Sequence, residues 1–123
     1  MERTWFITGA GSGFGRLMTE QLLERGDRVA ATARNPDALT ALVPRYGDRL
    51  WTAALDVTDT AGIRAAVGQA FADLGRIDVV VSNAGYGLFG AAEELTDEQI
   101  EHQLRTNLVG PIQLLRAVVP VAT

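Results

Sequence analysis

Short apolar runs alternate along this chain with longer segments of helical periodicity, and this alternation most limits the folds available to it. Four runs have the length and composition of strands: residues 3–8 (RTWFIT), 27–33 (DRVAATA), 49–55 (RLWTAAL) and 77–82 (IDVVVS). A segment with helical features separates each run from the next, which is the pattern of βαβ units. The sequence therefore predicts an α/β fold with a parallel sheet of about four strands and helices beside it.

The predicted helices between these strands have recognisable ends. The first begins near Gly13 and ends at Gly26, a residue suited to close a helix. The second is short, over residues 36–46, and the third covers residues 59–74 with apolar side chains at i, i+3, i+4 and i+7. The apolar face predicted for the first helix is formed by Phe14, Leu17, Met18 and Leu22.

A fourth helical segment follows the last strand. Thr96 with Gln99 three residues later is typical of a capping box, so this helix is predicted to begin there. Gly110 and Pro111 predict an interruption near residues 107–111, because proline cannot donate a helical hydrogen bond. From Leu108 to Val121 the segment is apolar almost all round, so it needs burial on more than one side.

Composition excludes several classes of protein. The 123 residues are 47% hydrophobic and include no cysteine, which predicts one globular domain over residues 1–123 without disulfides or thiolate metal sites. A net charge of −4 argues against a nucleic-acid surface. The N-terminal MERTWFITGAG resembles neither a signal peptide nor a membrane span, so a cytoplasmic location is expected. His102, the one histidine, is interpreted as a surface residue, and no metal site is predicted.

The stretch ITGAGSGFGR, residues 7–16, places four glycines in a short loop between the first strand and the first helix. Bare backbone N–H groups at a helix N-terminus suit an anion, most naturally a pyrophosphate. The G-x-G-x-x-G fingerprint would need glycine at position 14, where this chain has Phe14, and no Gly-Lys-Ser/Thr follows as in a P-loop. The alternative is that the glycines only make a tight connection between strand and helix.

Four motifs occur together in a fixed order. They are Thr8-Gly9-x-x-x-Gly13-x-Gly15, LDVTD with Asp56 and Val57, SNAG with Ser82, Asn83, Ala84 and Gly85, and TNLVG with Asn107. This set resembles the short-chain dehydrogenase/reductase family over residues 4 to about 120, although Ser82 replaces the first asparagine of the family's Asn-Asn-Ala-Gly motif.

The resemblance implies a fold, a cofactor and a reaction. The fold is a Rossmann-like doubly wound parallel sheet with strand order 3-2-1-4, and the reaction is hydride transfer to or from a carbonyl or alcohol. The residue with an implied catalytic role is Asn107, which in the family helps to hold a water chain to the catalytic lysine. The implied cofactor-binding residues are Gly9, Ser12, Gly13, Phe14, Gly15, Arg34, Asp56, Val57, Asn83, Ala84 and Gly85.

The end of the second strand indicates which nicotinamide cofactor fits. An NAD site needs an acidic residue there for the ribose 2′-OH, whereas an NADP site needs a cation for the 2′-phosphate. This chain has Thr32 and Ala33 followed by Arg34. Because arginine offers planar donors to phosphate, NADP(H) is favoured over NAD(H). The alternative is that Arg34 is a solvated loop charge.

The family's Tyr-x-x-x-Lys pair has no match here. Four positions after Tyr46 the chain has Leu50, and four positions after Tyr86 it has Gly90, where the motif needs lysine. The chain is therefore expected to bind a dinucleotide but to be catalytically incomplete. The alternative is a nucleotide-binding or purely oligomerising module. A fourth strand at the sheet edge and an apolar last helix predict a homodimer or higher homo-oligomer, formed through strand edges, helix packing or helix exchange.

Overall fold

The computed structural model describes residues 2–85 and 95–120, so Tyr86 and Val121, the last residue of the apolar tail, lie outside the described part. The elements are β1 (Thr4–Ile7), α1 (Gly13–Glu24), β2 (Arg28–Ala33), α2 (Asp37–Thr40), α3 (Val43–Tyr46), a 3₁₀ turn (Gly47–Arg49), β3 (Leu50–Ala54), α4 (Thr60–Leu74), β4 (Val79–Val81), α5 (Asp97–Leu104), a π-helical turn (Arg105–Val109) and α6 (Gly110–Val118).

The described strands form a parallel sheet in the order β3-β2-β1-β4, as predicted. The strands are one to three residues shorter than their apolar runs. At β4 the reason is local, because the Asp78 carboxylate accepts a hydrogen bond from the Thr4 N–H at 2.8 Å and the Asp78 N–H donates to the Thr4 carbonyl. Asp78 is therefore fixed to the start of β1, and regular pairing begins at Val79.

Two apolar cores lie on opposite faces of the sheet. Because neighbouring strand residues point to opposite faces, Phe6 packs with the buried side of α4 and α6, whereas Ile7 packs with α1 and α2. Ala30 and Ala31 of β2 divide between the cores in the same way. The sheet is thus covered by helices on both faces, which is the doubly wound arrangement.

The apolar face predicted for α1 is wrong in part. Phe14 and Leu17 are 76% and 53% exposed, and the buried residues of the helix are Gly15, Thr19, Leu22 and Leu23. The close approach of Gly15 to the loop after β1 turns that side of the helix inward. As a result, the large side chain of Phe14 points away from the core.

The segment between β2 and β3 forms two short helices where one was predicted. α2 and α3 contain four residues each, and Pro44 lies in the first turn of α3. Proline is tolerated there because first-turn N–H groups have no helical partner. The predicted helix over residues 59–74 is present as α4, capped by the Asp59 carboxylate, which accepts from the Gly62 N–H.

The helical segment after residue 95 begins and breaks where the sequence predicts. Thr96 and Gln99 form both hydrogen bonds of a capping box. The predicted interruption is a π-helical turn in which the Gly110 N–H donates to the Arg105 carbonyl, five residues earlier. Gly110 also lies tightly against the chain after β3, since an added Cβ would be 2.7 Å from the Val57 carbonyl oxygen.

One side of α5, the π-helical turn and α6 is apolar and exposed. We call it the apolar stripe, and its six residues are each 41–61% exposed: Ile100, Leu104, Leu108, Ile112, Leu115 and Val119. These residues recur every three or four positions, as expected for one side of a helix. A π-helical turn contains more residues than an α-helical turn, so Leu104, Leu108 and Ile112, which are four positions apart, stay on the same side. The opposite side, with Leu114 and Val118, is buried against α4. In the described part of the chain, no helix has the length and apolarity to cross a membrane.

Candidate functional site

The loop after β1 comes into close contact with the loop after β4. Gly9 has a φ of +65°, and a Cβ at this position would lie 2.9 Å from the Cα of Ala84. A Cβ on Gly15 would collide with the Gly9 carbonyl oxygen and lie 2.5 Å from Nδ2 of Asn83. Two of the four glycines are therefore required by the approach of backbone to backbone.

Hydrogen bonds fix these two loops together. The Thr8 hydroxyl oxygen accepts from the backbone N–H groups of Asn83 and Ala84, at 3.0 and 3.1 Å. The Asn83 side-chain amide donates to the Gly9 carbonyl at 3.1 Å. β1 and β4 are neighbours in the sheet, and the chain continues from β1 toward β2 on the side away from β4. The loops after β1 and β4 therefore separate at their far ends and leave a crevice between them, which is where parallel sheets of this type bind ligands.

The N-terminus of α1 is open at this crevice. Ser12 is the N-cap residue, and its side chain forms no capping hydrogen bond with the described residues. Gly13 has a φ of +55°, and apart from its chain neighbours and its own helix backbone no described atom lies within 4 Å of the position its Cβ would take. The first-turn N–H groups of the helix and its dipole together favour an anion at this point.

A cleft of about 770 Å³ extends from the glycine loop across the carboxyl ends of β2 and β3. Nine of the eleven predicted cofactor-binding residues line it: Gly9, Ser12, Phe14, Arg34, Asp56, Val57, Asn83, Ala84 and Gly85. Gly13 and Gly15 belong to the same loop but do not line the cleft. The sheet order thus brings together residues that are up to 76 positions apart in sequence.

Charges of both signs face the cleft. The Asp56 carboxylate accepts hydrogen bonds from the hydroxyl and backbone N–H of Thr58, at 2.7 and 2.9 Å, and these lower the pKa of Asp56. The positive charge of Arg34 and the side chain of His102 lower it further. Asp56 is therefore an ionised acceptor at neutral pH. Arg34 is exposed and forms no ion pair within the described residues.

Asn107 lies at the edge of this arrangement. It is in the π-helical turn, and its side-chain oxygen would be 2.8 Å from a Cβ placed on Gly85. The predicted catalytic residue is thus beside the loop after β4, although it does not itself line the cleft. Its role remains a prediction.

Several cleft residues were not predicted as site residues. Gly11, Asn35, Asp37, Ala38 and Leu55 follow β1, β2 or β3 closely, so the rule that ligands bind at carboxyl strand ends could have found them. His102 and Thr106 come from α5 and the π-helical turn, four positions apart and hence on one side. The Thr106 hydroxyl oxygen is buried and has no hydrogen-bond partner among the described residues.

The geometry of the cleft fits an elongated anionic nucleotide. The open N-terminus of α1 offers N–H donors to a diphosphate, and glycines keep the adjoining loop free of side chains. Arg34 adds a cation to the lining, and Asp56 adds an acceptor for a base amino group. The volume is within the range of small-molecule cofactor sites.

Comparison with known proteins decides the family. The model of the short chain dehydrogenase family matches residues 3–122. This chain is a short-chain dehydrogenase family member. It is 42% identical over 122 residues to the oxidoreductase BOA17 of Botryotinia fuckeliana, covering 98% of this chain and 44% of that protein.

Two further relatives of this short-chain dehydrogenase chain bear on its cofactor and fold. An NADP-dependent 3-hydroxy acid dehydrogenase of Shigella flexneri is 36% identical over 115 residues, covering 93% of this chain and 46% of that protein. A crystal structure of a short-chain dehydrogenase from Streptomyces avermitilis superposes with a TM-score of 0.93 at 41% identity, covering 98% of this chain and 44% of that one. The chain thus spans less than half the length of these relatives.

Proposed function

We propose that these 123 residues form the NADP(H)-binding part of an oxidoreductase that interconverts a carbonyl and an alcohol. The observation that carries the proposal is the presence of Arg34 in the same cleft as the open N-terminus of α1. A diphosphate and a 2′-phosphate are the two anionic centres of NADP(H). The cleft offers donors for one and a cation for the other.

The proposed residue roles follow from position. The loop from Gly9 to Gly15 would bind the diphosphate through backbone N–H groups. Asp56, kept ionised by Thr58, would accept a hydrogen bond from the adenine amino group, and Val57 would contact the base beside it. The segment 83–85 would contact the cofactor on the β4 side of the cleft.

The end of β2 supports NADP(H) over NAD(H). Ala33 and Arg34 stand where an NAD site needs a carboxylate for the ribose 2′-OH. Asp37 also lines the cleft, but its backbone N–H bonds to the Asn35 side chain at 3.1 Å and places Asp37 at the start of α2, beyond the strand end. The name of the Shigella flexneri relative, which includes NADP dependence, agrees with this assignment.

A bound nicotinamide dinucleotide supplies the hydride of such a reaction, whereas the acid and base come from the protein. The chain has no lysine, and Tyr46 is unsuited to the role. The Tyr46 hydroxyl donates to the Glu24 carboxylate, and this hydrogen bond raises the pKa of Tyr46 above its ordinary value. We therefore expect these residues to bind the cofactor without turning over carbonyl substrates.

Isothermal titration calorimetry of this chain with NADPH and with NADH tests the proposal. We expect both dinucleotides to bind, with NADPH at least tenfold tighter, because only it presents a 2′-phosphate to Arg34. Absence of heat with both dinucleotides would overturn the proposal. Tighter binding of NADH would contradict only the choice of NADP(H).

We further propose that the apolar stripe packs against a second copy of this chain. Six neighbouring side chains that are each 41–61% exposed form a larger apolar surface than isolated surface residues do. The stripe runs along one side of α5 and α6. Such a surface can pack against the same helices of a second copy across a two-fold axis. β4, whose three valines are half-buried at the sheet edge, is the alternative contact that the sequence predicts.

Sedimentation analysis of charge variants distinguishes these two contacts. The double variant Leu104→Glu and Ile112→Glu is expected to sediment as a monomer where the unchanged chain forms a dimer, because it would place carboxylates within an apolar interface. Val43→Glu, on the exposed surface of α3, is the control and should leave the dimer unchanged. A dimer that persists in the double variant would instead favour contact through β4.

A further inference from the structure

His102 lines the cleft, although its place on a polar helix face predicts a surface residue without a binding role. It is in α5, it is exposed, and it lines the same cleft as Asp56 and Arg34. Thr106, one helical turn later, lines the cleft as well, so this side of α5 and the π-helical turn forms one wall. Residues 34, 35, 37 and 38, after β2, line the same cleft.

The charged groups around His102 come from three parts of the chain. Asp56 follows β3, Arg34 and Asp37 follow β2, and all three line the cleft with His102. Of these, Asp56 interacts with His102 electrostatically. The titratable and charged neighbours on the same helix and at its end are Glu98, Glu101 and Arg105. A positive charge on His102 would thus be opposed by Arg34 and supported by Asp56.

We propose that His102 contacts the adenosine half of NADP(H), and that protonation of its imidazole strengthens binding. This inference rests on the proposed function, because it takes the ligand of the cleft to be that dinucleotide. His102 lines the cleft together with Asp56 and interacts with it electrostatically, and Asp56 marks the part of the cleft where the adenine is expected. An imidazole ring there can stack on a base, and aromatic rings stack on bases regardless of sequence.

The sign of the pH effect follows from linkage. NADP(H) is strongly anionic, so it binds better when the cleft carries one more positive charge. Histidine side chains ordinarily gain their proton near pH 6.5. Affinity is therefore expected to increase as the pH is lowered and the imidazole gains its proton, and the bound dinucleotide should in return make the imidazole harder to deprotonate.

The presence of a single histidine makes the test direct. The imidazole C2 proton of this chain gives one assignable NMR signal, and its titration can be followed with and without NADPH. We expect the midpoint of the His102 titration to move upward by about half a pH unit when NADPH is bound. A midpoint that does not move, under conditions where calorimetry shows NADPH bound, would overturn the inference.

Calorimetry with His102→Gln gives an independent measurement. Between about pH 8 and about pH 5.5, the affinity of the unchanged chain should rise roughly threefold more than that of the variant. The 2′-phosphate of NADPH itself gains a proton near pH 6. Because this changes the affinity of both proteins alike, it drops out when the pH dependence of the variant is compared with that of the unchanged chain. Equal pH dependence in the two proteins would contradict the inference.

The two proposals fail in distinguishable ways. If neither NADPH nor NADH binds at any pH, then the proposed function fails and this inference fails with it. If NADPH binds and His102→Gln changes neither the affinity nor its pH dependence, only the role of His102 fails. Loss of affinity at every pH alike would show stacking without a contribution from charge and would overturn the proposed role of the proton.

Discussion

Replacement of Gly15 by alanine is expected to lower the free energy of unfolding by about 3 kcal/mol, because the added methyl group meets backbone that cannot move aside. The Cβ would collide with the Gly9 carbonyl oxygen and lie 2.5 Å from Nδ2 of Asn83. These are the atoms that hold the loop after β1 against the loop after β4. The variant should therefore also lose dinucleotide binding at temperatures where it remains folded.

Alanine variants at two other glycines separate the effect of a steric collision from the effect of backbone conformation. Gly13→Ala retains a positive φ of +55° but its methyl group meets no described atom within 4 Å beyond its chain neighbours and its own helix backbone, so it should cost only about 1–2 kcal/mol of left-handed strain. Gly68→Ala lies on the exposed side of α4 with equal room, and should stabilise the protein by about 0.5–1 kcal/mol through helix propensity.

Urea denaturation followed by circular dichroism measures all three variants. The expected order of stability is Gly68→Ala, the unchanged chain, Gly13→Ala and then Gly15→Ala. If Gly15→Ala were as stable as Gly13→Ala, the close packing of α1 against the first loop would not be a determinant of the fold. The glycine at position 15 would then need another explanation.

The sheet could be predicted from the sequence because its signals are local and repeated. Each strand is a short apolar run, and the helix between β3 and β4 has a recognisable end, Gly75, which is in the left-handed conformation after α4. The capping box at Thr96 and Gln99 is likewise contained in four residues. The order 3-2-1-4 came from the family resemblance, and the structure confirms it.

Features that depend on how one element packs against another were not predicted correctly. Periodicity alone placed Phe14 and Leu17 on the buried face of α1, but the contact between Gly15 and Gly9 turns the helix and exposes both side chains. Gly110 and Pro111 predicted that the last helix would be interrupted. They did not indicate a π-helical turn, which also depends on Gly110 fitting against the Val57 carbonyl.

The same distinction holds for the candidate site. Its loops could be predicted, because parallel strands carry their binding residues immediately after their carboxyl ends. His102 and Thr106 could not, because they lie in the middle of a helical segment whose position depends on how α6 packs against α4. An exposed histidine on a polar helix face has no local signal that distinguishes a cleft wall from ordinary surface.

Replacement of Arg34 by glutamate is expected to weaken NADPH binding by well over tenfold while changing NADH binding far less. The variant places a carboxylate where the 2′-phosphate would meet a guanidinium, so an attractive charge-assisted contact becomes a repulsive one. NADH has a hydroxyl in place of that phosphate, and glutamate can accept its hydrogen bond. The ratio of the two affinities, measured by calorimetry, is therefore the informative quantity.

A matched variant controls for net charge. Arg64→Glu makes the same change in charge on the exposed surface of α4, away from the cleft, and should leave the NADPH to NADH ratio unchanged. Raising the salt concentration should weaken NADPH binding to the unchanged chain more than to Arg34→Glu, because salt screens an attraction that the variant lacks. A ratio that is the same in Arg34→Glu and in the unchanged chain would show that Arg34 is a solvated loop charge. In that case Arg34 would not select the phosphorylated cofactor, and any preference between the two dinucleotides would have to come from other residues that line the cleft.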